Sequence, residues 1–209
     1  VLVIGNNKTL RRQNMRPKIT TIVLQDVGYE QAITGLALSY NLDSFERAEE
    51  VAKTLAFKDG GHNKFLESIF MWIMVKAPRY WWQEADTFRL STKQSESTMH
   101  TLVKQLRDCH DLDEMVAWAS ESFECAELLQ SAQIIQMWEL AKEDGNLLKL
   151  KSILPEGFLQ SRLWCMSYKT MRNIILQRRD HKLPHWQIFI NDVLSQCDRP
   201  ELLPTQENK

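Results

Sequence analysis

The stretch Phe65–Val75, FLESIFMWIMV, is nearly all apolar and is followed closely by Pro78. It constrains the fold more than any other segment, because it must be buried wherever the chain places it. Periodicity alone does not separate a strand covered on both faces from a buried helix. Ile, Phe, Trp and Val dominate its second half, which favours a strand, and Pro78 stops the element. No segment reaches the roughly 18 uninterrupted apolar residues of a membrane helix, so no span is expected.

The segments around this run alternate between strand and helix character. Residues 18–24, KITTIVL, are β-branched and apolar and predict a strand. Ile33, Leu36, Ala37 and Tyr40 then recur at helical spacing after Asp26. Asp43 with Glu46 resembles a capping box, opening a helix that would bury Phe45, Ala48, Val51, Ala52 and Leu55. Lys58-Asp59-Gly60-Gly61 ends it, since glycine accepts a left-handed cap. Residues 79–86 suit a helix with Trp81 and Glu84 on neighbouring turns, and the polar residues 90–98 read as a loop. From Met99 to Lys151 the stripes are helical, beginning with Leu102, Val103 and Leu106 and then Met115, Trp118 and Ala119. Residues 161–168 alternate enough for a strand, 169–178 carry a helical stripe, and a last helix follows Pro184 over 185–197. The expected fold is α+β: a helix-rich domain with a small mixed sheet. A loosely held arm covers 1–17, and one domain covers 18–200 with a helical insertion around 101–151. Residues 201–209 form a frayed tail.

Composition removes several function classes. The 209 residues are 44% apolar and 25% charged, enough for a sizeable core. Net charge is −1, so no global field holds a nucleic acid, and none is expected as a partner. Cys109, Cys125, Cys165 and Cys197 form no CxxC pair and read as free thiols in a reducing compartment. The sequence has no GxSxG elbow, HExxH or P-loop, and LVIGNN at the start lacks the spacing of a dinucleotide loop. His181 and His185 are four apart, but Pro184 works against a shared helical face, and no metal site is expected. Two stretches, 61–100 and 154–194, place polar groups at the ends of strongly apolar elements, which is the layout of a ligand site on a rigid scaffold. Trp81 and Trp82 fit either a ring-stacking role there or the core.

These two stretches resemble the flavin-dependent thymidylate synthase family, over a little more than a third of the chain. Gly61-His62 matches the family's Gly-His, and Val75-Lys76-Ala77-Pro78 resembles its strand end. Carried onward without gaps, the frame meets the family motif RHRxxSxNxxSxR. It puts Arg89 on the second Arg, Gln94 on the Asn and Ser97 on the last Ser. Ser95 falls where Glu is usual. The motif's first Arg, its His and its final Arg are Thr87, Phe88 and Met99 here. In the second stretch, Leu154-Pro155 matches a Leu-Pro, and Asn173 and Arg178 match an Asn and an Arg of the long NxRxxxxFLxxR pattern. Lys169 stands at its first Arg and Ser167 at its Asn. His185-Trp186-Gln187-Ile188 resembles the family's AQWEI run with one residue inserted before it. The forms YWWQEADTFR and RRDHKLPHW are similar to bacteriophage-encoded proteins of this type.

The resemblance implies a fold like that of thymidylate-synthase-complementing proteins, assembled as a homotetramer whose active sites draw on several subunits. It implies FAD as cofactor, NADPH and methylenetetrahydrofolate as co-substrates, and a pyrimidine deoxynucleotide, dUMP or similar, as the methylated partner. Hydride from the flavin replaces the nucleophilic Cys of other thymidylate synthases. Arg178 would be the catalytic residue, polarising the pyrimidine ring, with a surface arginine beside Arg179 and Asp180 as the plain alternative. His62, Arg89 and Asn173 would bind the cofactor, although His62 otherwise suits a turn. Glu84 (where the family has Gln), Gln94, Ser95, Ser97 and Lys169 would hold the substrate, with Arg89 and Ser97 on a phosphate-facing loop. A phage-encoded chain would act in the cytoplasm of its bacterial host. The losses at Thr87, Phe88 and Met99 support a second reading, in which the scaffold is a repurposed nucleotide-binding or protein-interaction module.

Overall fold

The computed structural model describes residues 16–205. Most of the expected arm and the last four residues of the expected tail lie outside that range. Four strands form one sheet: β1 (Thr20–Val27), β2 (Phe70–Pro78), β3 (Ser91–Ser95) and β4 (Leu159–Ser167), in the order β1-β2-β4-β3. The class is α+β, as expected, but every pairing is antiparallel rather than mixed. The cause lies in the connections. Helices α1 (Tyr29–Tyr40) and α2 (Phe45–Leu55) leave β1 and return the chain to the same end of the sheet, where Val27 meets Phe70.

The apolar run around residues 65–75 divides. Phe65 and Leu66 are buried in a 3₁₀ turn (Lys64–Ser68), and the strand starts at Phe70. Met71, Ile73, Val75 and Ala77 are buried under the helices. The other face is not covered by the described residues: Phe70 is 41% exposed and Met74 36%. This corrects the expectation of a strand buried on both sides. The register sets Ile22, Met74, Leu163 and Gln94 in one row across that open face.

Local chemistry explains where the helices start. Gly28 enters α1 with φ 90, and a Cβ there would lie 2.2 Å from the Ser68 carbonyl oxygen, so only glycine fits. The cap of α2 is Ser44, whose Oγ accepts from the Arg47 amide at 3.2 Å, while Asp43 pairs with the Arg47 side chain at 3.6 Å. The cap is therefore a single serine bond one residue later than Asp43, with Arg47 at the position where a box needs Glu or Gln. Residues 90–98 are not a plain loop. Ser91–Ser95 form an edge strand on β4, because an edge exposes polar side chains and needs only one partner. The tail departs too, since Leu202 and Leu203 are buried in the main core.

That core is built on aromatic rings. Trp81 and Trp82 of α3 (Arg79–Ala85), Trp164 of β4, and Trp186 and Phe189 of α9 (His185–Gln196) are fully buried. Their centroids lie 4.6–6.2 Å apart across the cluster. Trp81 and Trp82 thus belong to the core. A second core holds the helices predicted between Met99 and Lys151: α4 (Thr101–Arg107), α5 (Leu112–Ser122), α6 (Ser131–Lys142) and α7 (Leu147–Ile153). Leu102, Leu106, Met115, Met137 and Leu150 close it, with Phe123 and Phe158 stacked edge-on beside them. Helix α8 (Tyr168–Arg178) follows β4 directly. No described helix is long and apolar enough to cross a membrane.

Candidate functional site

Helix α8 gathers three of the expected residues. It begins at a serine cap, where Ser167 Oγ accepts from the Thr170 amide at 3.2 Å. Lys169 and Asn173 follow one turn apart on its half-buried face, and Arg178 closes it. The Lys169 ammonium donates to Asn63 Oδ1. Arg172, buried in the next turn, reaches the Phe57 carbonyl at 3.4 Å and Asp59 at 3.2 Å. Two cations of α8 thus clamp the segment that carries His62. Lys169, expected at the substrate, is engaged inside the subunit.

His62 follows Gly60 and Gly61, whose φ values of 73 and 87 are left-handed, but they form a separate turn: α2 ends earlier, at Leu55 with Ala56 as a right-handed cap, and not at the glycine pair as expected. Its side chain is exposed, with Nδ1 3.4 Å from the Tyr40 hydroxyl. Together they line a cavity of about 680 Å³ between α1 and the 60–68 segment. Gly35, Gly61 and Phe65 line it too. That volume suits a cofactor or drug-sized ligand.

The far end of α8 is a compact polar cluster on an aromatic floor. Arg178 Nη1 lies 3.4 Å from Glu84 Oε2, and its guanidinium is 5.1 Å from the Trp186 ring centre and 5.6 Å from that of Phe88. Arg178 Nε is buried without an acceptor among the described residues. Glu84 Oε2 also accepts from the Trp186 indole N–H at 2.9 Å and faces His181 Nε2 at 3.4 Å. The Gln187 amide donates to the carbonyls of Arg179 (3.1 Å) and His181 (2.8 Å), holding the chain where α8 ends.

Arg89 is exposed beside α8. Phe88 packs near Arg178, and the Leu90 carbonyl accepts from Thr170 Oγ1 at 3.0 Å, so Arg89 lies along the helix between those anchors. Gln94, Ser95 and Ser97 stand apart from this group. Gln94 faces the open side of the sheet opposite Leu163, and Ser95 pairs with Arg162. The Ser97 carbonyl accepts from the Thr101 amide at 2.9 Å and so starts α4.

His181 and His185 turn to different carboxylates, the second lying 3.2 Å from Glu124. Burial pushes the thiols of Cys109, Cys125, Cys165 and Cys197 up, that of Cys197 to about 11. None is thereby activated as a thiolate near neutral pH. Sequence reasoning did not assign His181, Trp186 and Phe88 to Arg178, nor Tyr40 to His62. The one signal for Phe88 was its place at a motif histidine.

No protein-family model and no curated protein sequence matches the chain. Solved structures do. One is a crystal structure of the flavin-dependent thymidylate synthase ThyX from Helicobacter pylori complexed with FAD and dUMP. It superposes with a TM-score of 0.72 at 14% identity, covering 90% of this chain and 98% of that one. A second Helicobacter pylori ThyX structure with FAD and dUMP gives 0.73 at 15% identity, covering 89% and 97%. The chain has the fold of flavin-dependent thymidylate synthases from end to end of the matched enzymes.

Proposed function

We propose that the chain is a flavin-dependent thymidylate-synthase-like enzyme that transfers a one-carbon unit to the pyrimidine ring of a dUMP-like deoxynucleotide. The observation that carries this reading is the fold, shared along nearly the whole chain with enzymes crystallised with FAD and dUMP. The His62 cavity supports it, since its volume and glycine lining leave room for a flat ring system. His62, Arg89 and Asn173 would hold FAD, which supplies hydride when bound. NADPH and methylenetetrahydrofolate would be the co-substrates.

Within the reading, Arg178 donates N–H groups to a ring carbonyl and stabilises negative charge that develops there. Gln94 and Ser95 on the edge strand and Ser97 just beyond it hold the nucleotide, with Lys169 acting through the His62 segment it clamps. Gln94 stands on the open sheet face next to Leu163, Met74 and Ile22. An apolar face continuous with substrate groups supports a homotetramer whose sites close between subunits. Action in a bacterial cytoplasm, in a phage-encoded branch, belongs to the same proposal.

A visible absorption spectrum of the purified chain after incubation with FAD tests the proposal. A flavin band that survives gel filtration, and shifts on adding dUMP, is the expected result. A colourless protein that ignores FAD favours the second reading, a repurposed nucleotide-binding or interaction module. Phe88 is the observation on that side, because its ring packs against Trp186 where the motif places a histidine.

A further inference from the structure

Three donors converge on one oxygen of Glu84. Trp186 Nε1 lies 2.9 Å from Oε2, Arg178 Nη1 3.4 Å and His181 Nε2 3.4 Å. Two of the three are fixed in advance. Trp186 is fully buried among Trp81, Phe88 and Phe189, so its N–H has one direction. The Leu183 amide donates to His181 Nδ1 at 3.1 Å. A ring nitrogen that accepts carries no proton, so the neutral ring has its proton on Nε2, facing Glu84. The carboxylate is therefore set by the core before Arg178 meets it. Arg178, by contrast, has aromatic rings beside its guanidinium and a buried Nε with no acceptor among the described residues.

We infer that Glu84 is a positioning and specificity-determining residue: it fixes the Arg178 guanidinium and compensates its charge. The N–H groups left free then suit a neutral carbonyl oxygen of a ring, not an anionic oxygen. This rests on the reading of Arg178 as ligand-facing. A neutral amide at position 84 would keep the shape and still accept from Trp186. It would leave Arg178 with a full, uncompensated charge, and a free anion would compete for it. One unit charge at this distance, in a site partly open to water, changes anion affinity on the order of tenfold.

The test compares the unaltered chain with Glu84→Gln, Glu84→Asp and the double variant Glu84→Gln/Arg178→Gln. The first readout needs no activity: proton exchange of the Arg178 Nε–H by NMR, assigned by its loss in Arg178→Lys. Slow exchange in the unaltered chain and exchange about tenfold faster in Glu84→Gln is expected, with Glu84→Asp between them. The second is calorimetric binding of inorganic phosphate and of dUMP. Glu84→Gln should bind phosphate about tenfold more tightly and lose that gain in the double variant. Equal exchange rates and equal phosphate affinity in the unaltered chain and Glu84→Gln overturn the inference. If Glu84→Gln does not fold, Glu84→Asp decides by the same exchange readout. A chain that binds no dUMP in any form sinks the proposed function, while the exchange rates still decide the role of Glu84.

Discussion

Asp26 shows how a single side chain is placed against its own preference. Its Oδ2 accepts from the Tyr168 hydroxyl at 2.6 Å and the Asp198 amide at 2.7 Å, while Oδ1 is buried without a donor among the described residues. Burial raises its carboxyl above the usual range, more than those hydrogen bonds lower it. The folded chain then holds this proton more tightly than the unfolded chain does. Stability from the group is complete below the unfolded value and is lost as pH rises through the raised one. Asp26→Asn should therefore raise the melting temperature near pH 7, with the advantage shrinking toward pH 3–4. Thermal melts across that range check it, and an advantage that grows toward acid would refute the assignment. At this scale little was readable in the sequence. The family resemblance, not local spacing, drew attention to Arg178, and Glu84 and Trp186 are 102 positions apart with no local pattern to join them. Lys169 was found by position, yet its donation to Asn63 depends on the turn folding back on α8.

Elements with strong periodicity were legible. β4, α8 and α9 fall close to where the sequence pattern put them, because each buries a face in one core, while β2 starts five residues into its apolar run. β3 was not, since an edge strand of Ser, Thr, Lys and Gln looks like a loop until β4 supplies hydrogen bonds. The buried end of the tail was missed for a similar reason: Leu202 and Leu203 are too few to show a period. Gly28 is the element-scale hinge that sequence spacing did not mark. Its φ of 90 and the nearby Ser68 carbonyl tie the start of α1 to the turn before β2. Gly28→Ala should cost about 2–4 kcal/mol, from strain plus displacement of that carbonyl. Chemical denaturation measures it, and a loss below ~1 kcal/mol would mean the backbone relaxes freely.

At the scale of the whole molecule, two cores meet across a few polar bonds. Glu124, at the end of α5, accepts from the Lys18 amide at 3.0 Å and faces buried His185 at 3.2 Å. The larger statement is the uncovered sheet face. Ile22, Phe70 and Met74 stand there exposed. Met74→Lys, in the row that ends at Gln94, should convert the proposed homotetramer into monomers while leaving secondary structure intact. Sedimentation velocity reads the size, and flavin retention should fall with it. An unaltered chain that already sediments as a monomer, or an unchanged size in Met74→Lys, would overturn the proposed role of this face. The strand order carries one last consequence, for synthesis rather than for the finished fold. β3 has no partner in the sheet but β4, and Glu96 at its end waits for Gln160, 64 positions later. At about 5–20 residues per second a ribosome leaves that edge bare for roughly 3–13 s. β1 and β2, the helices between them, α3 and most of the second core can form in the meantime. α8 emerges after β4, so the helix bearing Lys169, Asn173 and Arg178 is among the last pieces to arrive. A nascent chain can hold its sheet half-built while the helix of the proposed site has yet to be made.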